Sequence, residues 1–342
     1  MKNLVEVSVL VVCYNHEKYI RQCIESILNQ KTNFRYEIII HDDASNDDSA
    51  SIIREYVDKY PDIVKCFFEE KPIFLKEPIN IAYNILYKNA KGKYFATCEG
   101  DDYWSDMQKL QIQYDYMEKK NNCAVCVHPV QLVDCNRNEE SCGVVPYQSK
   151  EYYMQTLKLD EIFYKWIREG TFFGANSFFI RRSCILEDQI PDFITISGGI
   201  EFANFLEYAS LGDILFLPQI MAVKRVNNMG SLSFERQQNN VEKILADLSK
   251  IDNILESFDE FSHGKYHLEI ENVILYHKLR SVRLKNKMFE SIDFYSGNEI
   301  SKCNNYFYAI RNKIMDLTQK NSFLFLLELK YTNRCLRKKL KY

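Results

Sequence analysis

VSVLVVCYNHEKYIRQCIESILNQ (7–30) opens with an apolar run, rich in β-branched residues. It continues with Ile20, Ile24, Ile27 and Leu28 at helical spacing. A strand covered on both faces reads as a continuous hydrophobic run rather than an alternation. The stretch therefore predicts a buried strand followed by an amphipathic helix. The same unit recurs downstream. YEIIIHDDAS (36–45) is a second buried strand, and SNDDSASIIREYVDKY (45–60) starts with capping residues before Ile52, Ile53, Tyr56 and Val57 line one helix face. IVKCFF (63–68), GKYFATCEGDDYW (92–104) and CAVCVH (123–128) read as strands. EPINIAYNILYKNA (77–90) and DMQKLQIQYDYMEKK (106–120) read as helices. Strands separated by helices imply an α/β fold, a mainly parallel sheet with helices on both faces.

Further along, residues 134–156 look irregular and polar. ANSFFIRR (175–182) reads as a strand, and IEFANFLEYASLG (200–212) as a helix stopped by Gly212. DILFLPQIMAVKRV (213–226) is extended and split by Pro218. From about residue 236 the character changes. Val241, Leu245, Leu248, Ile251, Leu255 and Phe258 step by threes and fours, as do Ile300, Cys303, Phe307, Ile310, Ile314 and Leu317. Both sets mark core-facing helices. The expected organisation is an α/β domain over 1–235 and a helical C-terminal region over 236–342 with a basic tail.

Composition narrows the function classes. Lys plus Arg number 44 against 47 Asp plus Glu, a net charge of −3 that gives no case for a nucleic-acid partner. Gly (11) and Pro (7) are too scarce for collagen or a low-complexity linker. No apolar run approaches the ~18 residues of a membrane span. The N-terminal MKNLVEVSVLVVCYN carries Glu6 within its apolar run and no small-residue cleavage site, so it reads as a first strand of a cytoplasmic protein. Most of the eleven cysteines sit in apolar runs as buried thiols. Cys123, Cys126, Cys135 and Cys142 invite a zinc reading. The first two, three apart on a strand, face opposite ways and make a poor chelating pair.

The ends of the strands carry the chemistry. Cys13-Tyr14-Asn15 follows strand one, Asp42-Asp43 strand two and Asp101-Asp102 strand four. In an open parallel sheet, ligands bind beyond such carboxyl ends. GxGxxG and GxxxxGK[ST] are both absent, which excludes the usual dinucleotide and P-loop sites. Acid pairs repel phosphate unless a divalent cation lies between them. Mg2+ or Mn2+ bound by one or two carboxylates takes phosphate oxygens in this way.

With those motifs in order, VSVLVVCYNHEKYIRQCIESILNQ, YEIIIHDDASND and GKYFATCEGDDYWSD, the sequence resembles family 2 glycosyltransferases of the GT-A fold over about residues 5–235. The resemblance implies a Rossmann-like mixed sheet with one small antiparallel element near the active site. It also implies an inverting transfer from a nucleotide-sugar, a UDP-sugar in the first instance, in bacterial surface polysaccharide or capsule synthesis. Cys13, Tyr14 and Asn15 then lie along the base, Asp43 accepts the uracil N–H and Asp42 helps hold the loop. Asp102 matches the metal ligand of the DxD-like motif, and Asp101 faces the ribose or donor sugar. Tyr103 and Trp104 wall the sugar pocket. The carboxylate base that must take the acceptor's proton falls on Glu201, where the family has Asp. A helix N-terminus there favours the ionised form. Asp188 and Asp192 are the next candidates. MAVKRVNNMGSLS (221–233) places Asn227 where the family often has a metal-side His, with Lys224 and Arg225 available to the diphosphate.

The implied acceptor is a saccharide or lipid-linked saccharide. NSFLFLLELKYTNRCLRKKLKY (321–342) would hold the protein peripherally at the inner face of the plasma membrane, an apolar run followed by basic residues. The alternative is a catalytically inactive GT-A scaffold that binds nucleotide-sugar or saccharide. A receiver-like phosphoacceptor fits poorly, because a complete strand and helix precede EIIIHDDAS. A nucleotidyltransferase would need a Gly-rich basic first loop that the chain lacks.

Overall fold

The computed structural model describes residues 4–73, 80–146, 153–163, 173–198, 201–227 and 241–291. Along the chain come β1 (Val5–Cys13), α1 (Ile20–Leu28), β2 (Arg35–Asp42), α2 (Ser49–Lys59) and β3 (Val64–Phe68). A π-helix (Asn80–Tyr87) leads to β4 (Tyr94–Glu99), β5 (Tyr103–Trp104), α3 (Lys109–Lys119) and β6 (Cys123–Val127). Then follow β7 (Val130–Asp134), β8 (Glu140–Val145), β9 (Gln155–Leu157), β10 (Phe179–Arg181), α4 (Asp192–Ser197) and α5 (Glu201–Ser210). β11 (Asp213–Phe216), β12 (Ala222–Val226), α6 (Val241–Phe261) and α7 (His267–Ser291) complete the described residues.

Eight strands form one sheet in the order β3-β2-β1-β4-β10-β6-β11-β9. β1 lies parallel between β2 and β4, β3 is parallel to β2, and β11 to β6. β10 runs antiparallel between β4 and β6, the small antiparallel element that the resemblance implied. The expected α/β GT-A architecture is therefore present. Both faces of β1 are covered, which explains its apolar run; the one polar residue within it, Ser8, is buried and donates to Glu37 at 2.8 Å. Val7, Val9 and Val11 pack with Ile20, Cys23, Ile24 and Ile27 of α1 and Ile53 and Tyr56 of α2. Leu10 turns to the other face, with Ile39, Phe95, Tyr83 and Phe205. Each such side chain contributes ~1.5–3 kcal/mol on full burial, so the two layers fix the frame beneath the loops.

A second sheet, β5-β12-β7-β8, stands beside the first. It overturns the expectation that 134–156 is irregular throughout. Asn138 and Glu139, at φ 52° and 59°, make a tight turn that folds β8 back antiparallel on β7. β8 is largely solvent-facing, so its sequence shows no apolar run to announce it. The helix expected over 77–90 is wound as a π-helix where it is described.

One compact unit runs to Ile274 and a second begins at Leu275. α6 packs Ile254, Leu255 and Phe258 into the core of the first unit, where Phe193 of α4 meets Phe258 edge-on at 5.1 Å. The helix expected around Ile300–Leu317 and the basic tail lie outside the described residues. Among the described residues, no helix is long and apolar enough to cross a membrane.

Candidate active site

Parallel pairing sets Cys13 opposite Asp42 and Val12 opposite Glu99, so β1, β2 and β4 end side by side. On the β1–β2 side, Asp42 is buried. Its carboxylate accepts from the Ser45 hydroxyl at 2.6 Å and the Ser45 N–H at 3.2 Å. Asp43 accepts from the Ile73 N–H at 2.7 Å, and its own N–H donates to the Cys13 carbonyl at 2.9 Å. Asn15, in the left-handed region at φ 57°, accepts from the Asn46 N–H and donates its own N–H to Ser45. The two loops are thus laced into one platform. The Cys13 side chain is buried; burial, with Asp42 beside it, pushes its thiol pKa up. Tyr14 is 43% exposed and is the ring on the open side of this loop.

On the β4 side, Gly100–Asp102 cross from the large sheet to the small one. A Cβ on Gly100 would come within 2.8 Å of the Val12 carbonyl oxygen, so only glycine allows the loop to lie this close to β1. Carboxylate oxygens of Glu99, Asp101 and Asp102 all fall within 4.8 Å of one another. Asp102, 1% exposed, accepts from Asn176 Nδ2 at 3.1 Å and from the Arg225 N–H at 2.8 Å. Asn176 arrives there because β10 is antiparallel: its entry turn, not its exit, lies at this edge.

The Lys224 ammonium sits 2.8 Å from Glu99 Oε2. Burial by itself would raise Glu99, but Lys224, with hydrogen bonds involving Asp102 and Glu201, brings it down to about 2. Burial, and then Glu99, push Asp102 well above the ordinary carboxylate range. Lys224 keeps its proton against its own burial because Glu99, Glu201 and Asp102 surround it. Glu201, in the first turn of α5, therefore belongs to the same cluster. Three converging hard oxygen donors fit Mg2+ or Mn2+, and Glu99, Asp101 and Asp102 would hold it.

Other expected residues lie elsewhere. Trp104 is 4% exposed and packs in the core, where Lys109 Nζ lies 4.2 Å from its ring centre. Asp188 lines a separate open cleft with Lys93 and Arg182, and Asp192 is exposed on α4. Asn227 follows β12 at φ 59°. The Arg225 guanidinium is committed inward, to the Asp101 carbonyl at 2.6 Å, Glu139 Oε1 at 2.6 Å and Gln22. It lies 4.7 Å and 4.9 Å from the ring centres of Tyr19 and Tyr103. Cys123 and Cys126 are buried in β6, apart from Cys135 and Cys142 near the second sheet's hairpin.

Residues 8–186, just over half of the chain, match the family Glycosyl transferase family 2. The chain belongs to that family. An uncharacterised protein of Mycobacterium tuberculosis is 33% identical to this family 2 chain over 220 residues, 64% of the chain and 58% of that protein. The chain thus spans less than two thirds of the length of its mycobacterial relatives. An uncharacterised glycosyltransferase of Haemophilus influenzae is 24% identical over 334 residues, 93% of the chain and 95% of the relative. Among solved structures, S. aureus TarS 1–349, crystallised with UDP-GlcNAc, matches with a TM-score of 0.52 at 16% identity. That match covers 82% of the chain and 81% of TarS 1–349, and it shows a shared fold.

Four residues of the site escaped the sequence reading: Glu99, Asn176, Arg225 in its inward role, and Glu139. Glu99 stands two before Asp101 in CEGDD, a spacing that could have flagged it. Asn176 and Glu139 come from distant segments, and only the antiparallel strand and the hairpin bring them in.

Proposed function

We propose that this family 2 chain transfers a sugar, with inversion, from a UDP-sugar to a hydroxyl of a saccharide or lipid-linked saccharide acceptor. The observation that carries the reading is the placement of Glu201 beside the Glu99–Asp101–Asp102 cluster. A base and a leaving-group site in one pocket are what in-line displacement at an anomeric carbon requires.

The roles follow from position. Asp43 presents a buried acceptor to a base N–H, while Asp42 holds the loop through Ser45. Tyr14 offers its open ring to the base. Glu99, Asp101 and Asp102 would hold Mg2+ or Mn2+, which when bound neutralises charge on the departing diphosphate. Glu201 takes the proton from the acceptor hydroxyl as it attacks. Lys224, as a cation at the same edge, adds charge for the diphosphate. A fixed array of this kind stabilises developing charge without reorganising.

The test is UDP binding by calorimetry with Mn2+ and with a chelator, on wild type and Asp102→Asn. Tighter binding with Mn2+, lost in the variant, supports the reading. Equal UDP binding with metal and chelator would sink it.

A further inference from the structure

Lys224 is placed where no diphosphate-binding lysine would rest by default. Its ammonium is 2.8 Å from Glu99, one of the three acids whose oxygens converge within 4.8 Å. Asp102 and Glu201 act on it from the same pocket. Strand alternation explains the aim: on β12, Arg225 turns toward Tyr19, Tyr103 and Glu139 while its neighbour Lys224 turns to the opposite side. Three carboxyl groups, Glu99, Asp102 and Glu201, thus act on one ammonium, and Asp101 converges on the first two.

A divalent ion at Glu99, Asp101 and Asp102 and an ammonium on Glu99 draw on the same carboxylate. Like charges so close repel strongly where water is excluded. Lys224 has a long flexible stem, and its side chain and that of Glu99 are both partly exposed.

We propose that Lys224 is the resident counter-cation of the acid cluster, displaced from Glu99 when a divalent ion binds and thereby released to the donor's diphosphate. The inference rests on the metal-assisted reading above. It makes metal affinity low until nucleotide arrives. Metal alone must evict Lys224, whereas metal with diphosphate gives the evicted ammonium a new anionic partner. Metal and nucleotide then bind cooperatively through one side chain.

The experiment titrates Mn2+ into full-length wild type, Lys224→Met and Lys224→Arg, reading free Mn2+ by electron paramagnetic resonance, with and without UDP. Without nucleotide, Lys224→Met is expected to bind Mn2+ about tenfold more tightly than wild type, and Lys224→Arg about as wild type. At saturating Mn2+, UDP affinity is expected to fall by about tenfold in Lys224→Met and to be retained in Lys224→Arg. Lys224→Gln carries the same test should the Met variant fail to fold. Unchanged or weaker Mn2+ binding in the neutral variants, or UDP affinity indifferent to the substitution, overturns the displacement. If no variant binds Mn2+ even with UDP present, and UDP binds equally with chelator, the metal reading itself has failed.

Discussion

Arg225 and Asp102 are joined through the main chain: the Arg225 N–H donates to Asp102 Oδ1 at 2.8 Å, on a residue whose guanidinium also holds the Asp101 carbonyl at 2.6 Å. One residue therefore grips the acidic loop twice. Arg225→Ala keeps the first bond and loses the second, along with the contacts to Glu139, Gln22, Tyr19 and Tyr103. A stability loss of ~2–4 kcal/mol is expected in urea melts, from a buried side chain with several hydrogen bonds. Arg225→Lys should recover less than half of it, because an ammonium cannot reproduce the planar fork or its stacking. A lysine variant as stable as wild type would show that the fork is dispensable.

Glu201→Gln should leave UDP affinity near wild type and lower sugar transfer by ~100-fold or more, the usual worth of a positioned base. The check is UDP release with acceptor beside calorimetry with UDP alone. Transfer near the wild-type rate would remove Glu201 from the mechanism. Asp188 and Asp192 would not easily replace it, since neither lies in the acid cluster.

Glu207, buried on α5, accepts from the Tyr83 hydroxyl at 2.6 Å and from the Leu186 N–H at 2.7 Å, and burial raises it to about 7. Its folded-state pKa lies above the unfolded value. Its contribution is therefore fully present below about pH 4.5 and is lost as pH rises through about 7. Glu207→Gln removes the charge; its amide oxygen can still accept from the Leu186 N–H, while its NH2 can only donate to the Tyr83 hydroxyl oxygen. Above pH 7 it should be more stable than wild type, by on the order of 2 kcal/mol, with parity near pH 4. Thermal melts across pH 4–8 decide; parallel curves would show that Glu207 does not titrate in this range.

Lys109 has the opposite sign. It is fully buried, donates to Gln113 at 2.7 Å and lies over Trp104; burial depresses it to about 7. Between about pH 7 and 10.5 the unfolded chain holds a proton that the folded chain has released, so stability should rise with pH in that window. Lys109→Met should abolish the rise. At neutral pH the gain from removing the buried charge is offset by leaving Gln113 Oε1 without its donor, ~1–3 kcal/mol. A wild-type curve that stays flat from pH 7 to 10 would contradict this.

The segment from Phe323 to Lys341 is predicted to bring the protein to anionic membranes. Full-length protein should float with phosphatidylglycerol-rich liposomes at low salt, and a version ending at Gln319 should stay in solution. Each basic residue near the surface is worth about 1 kcal/mol. Flotation of neither version would overturn the membrane contact expected from the basic tail.

The frame was legible because it is local. β1, β2 and β4 announce themselves as mainly apolar runs, and the acid pairs that end β2 and β4 follow directly in sequence. Helix α1 shows in the spacing of Ile20, Ile24, Ile27 and Leu28, the first three of which are buried. What could not be read is what arrives from far along the chain. Trp104 follows two functional acids, yet β5 turns it into the core and leaves Tyr103 beside Arg225. Arg225 looks like a surface cation until the Asn138–Glu139 turn delivers its carboxylate partner. Neighbours in sequence decided the strands; neighbours in space decided the site's inner wall.

The three residues Gly100–Asp102 span two sheets: β4 ends in one at Glu99 and β5 begins in the other at Tyr103. β5 is held by its pairing with β12 and by the buried Trp104, and Gly100 lies against the Val12 carbonyl, so both ends of the loop are pinned. An inserted residue would bulge between them and move the Asp101 and Asp102 carboxylates away from Glu99, with which they converge. The tryptophan at the far end thus makes the spacing of the acids sensitive to the length of the loop that carries them.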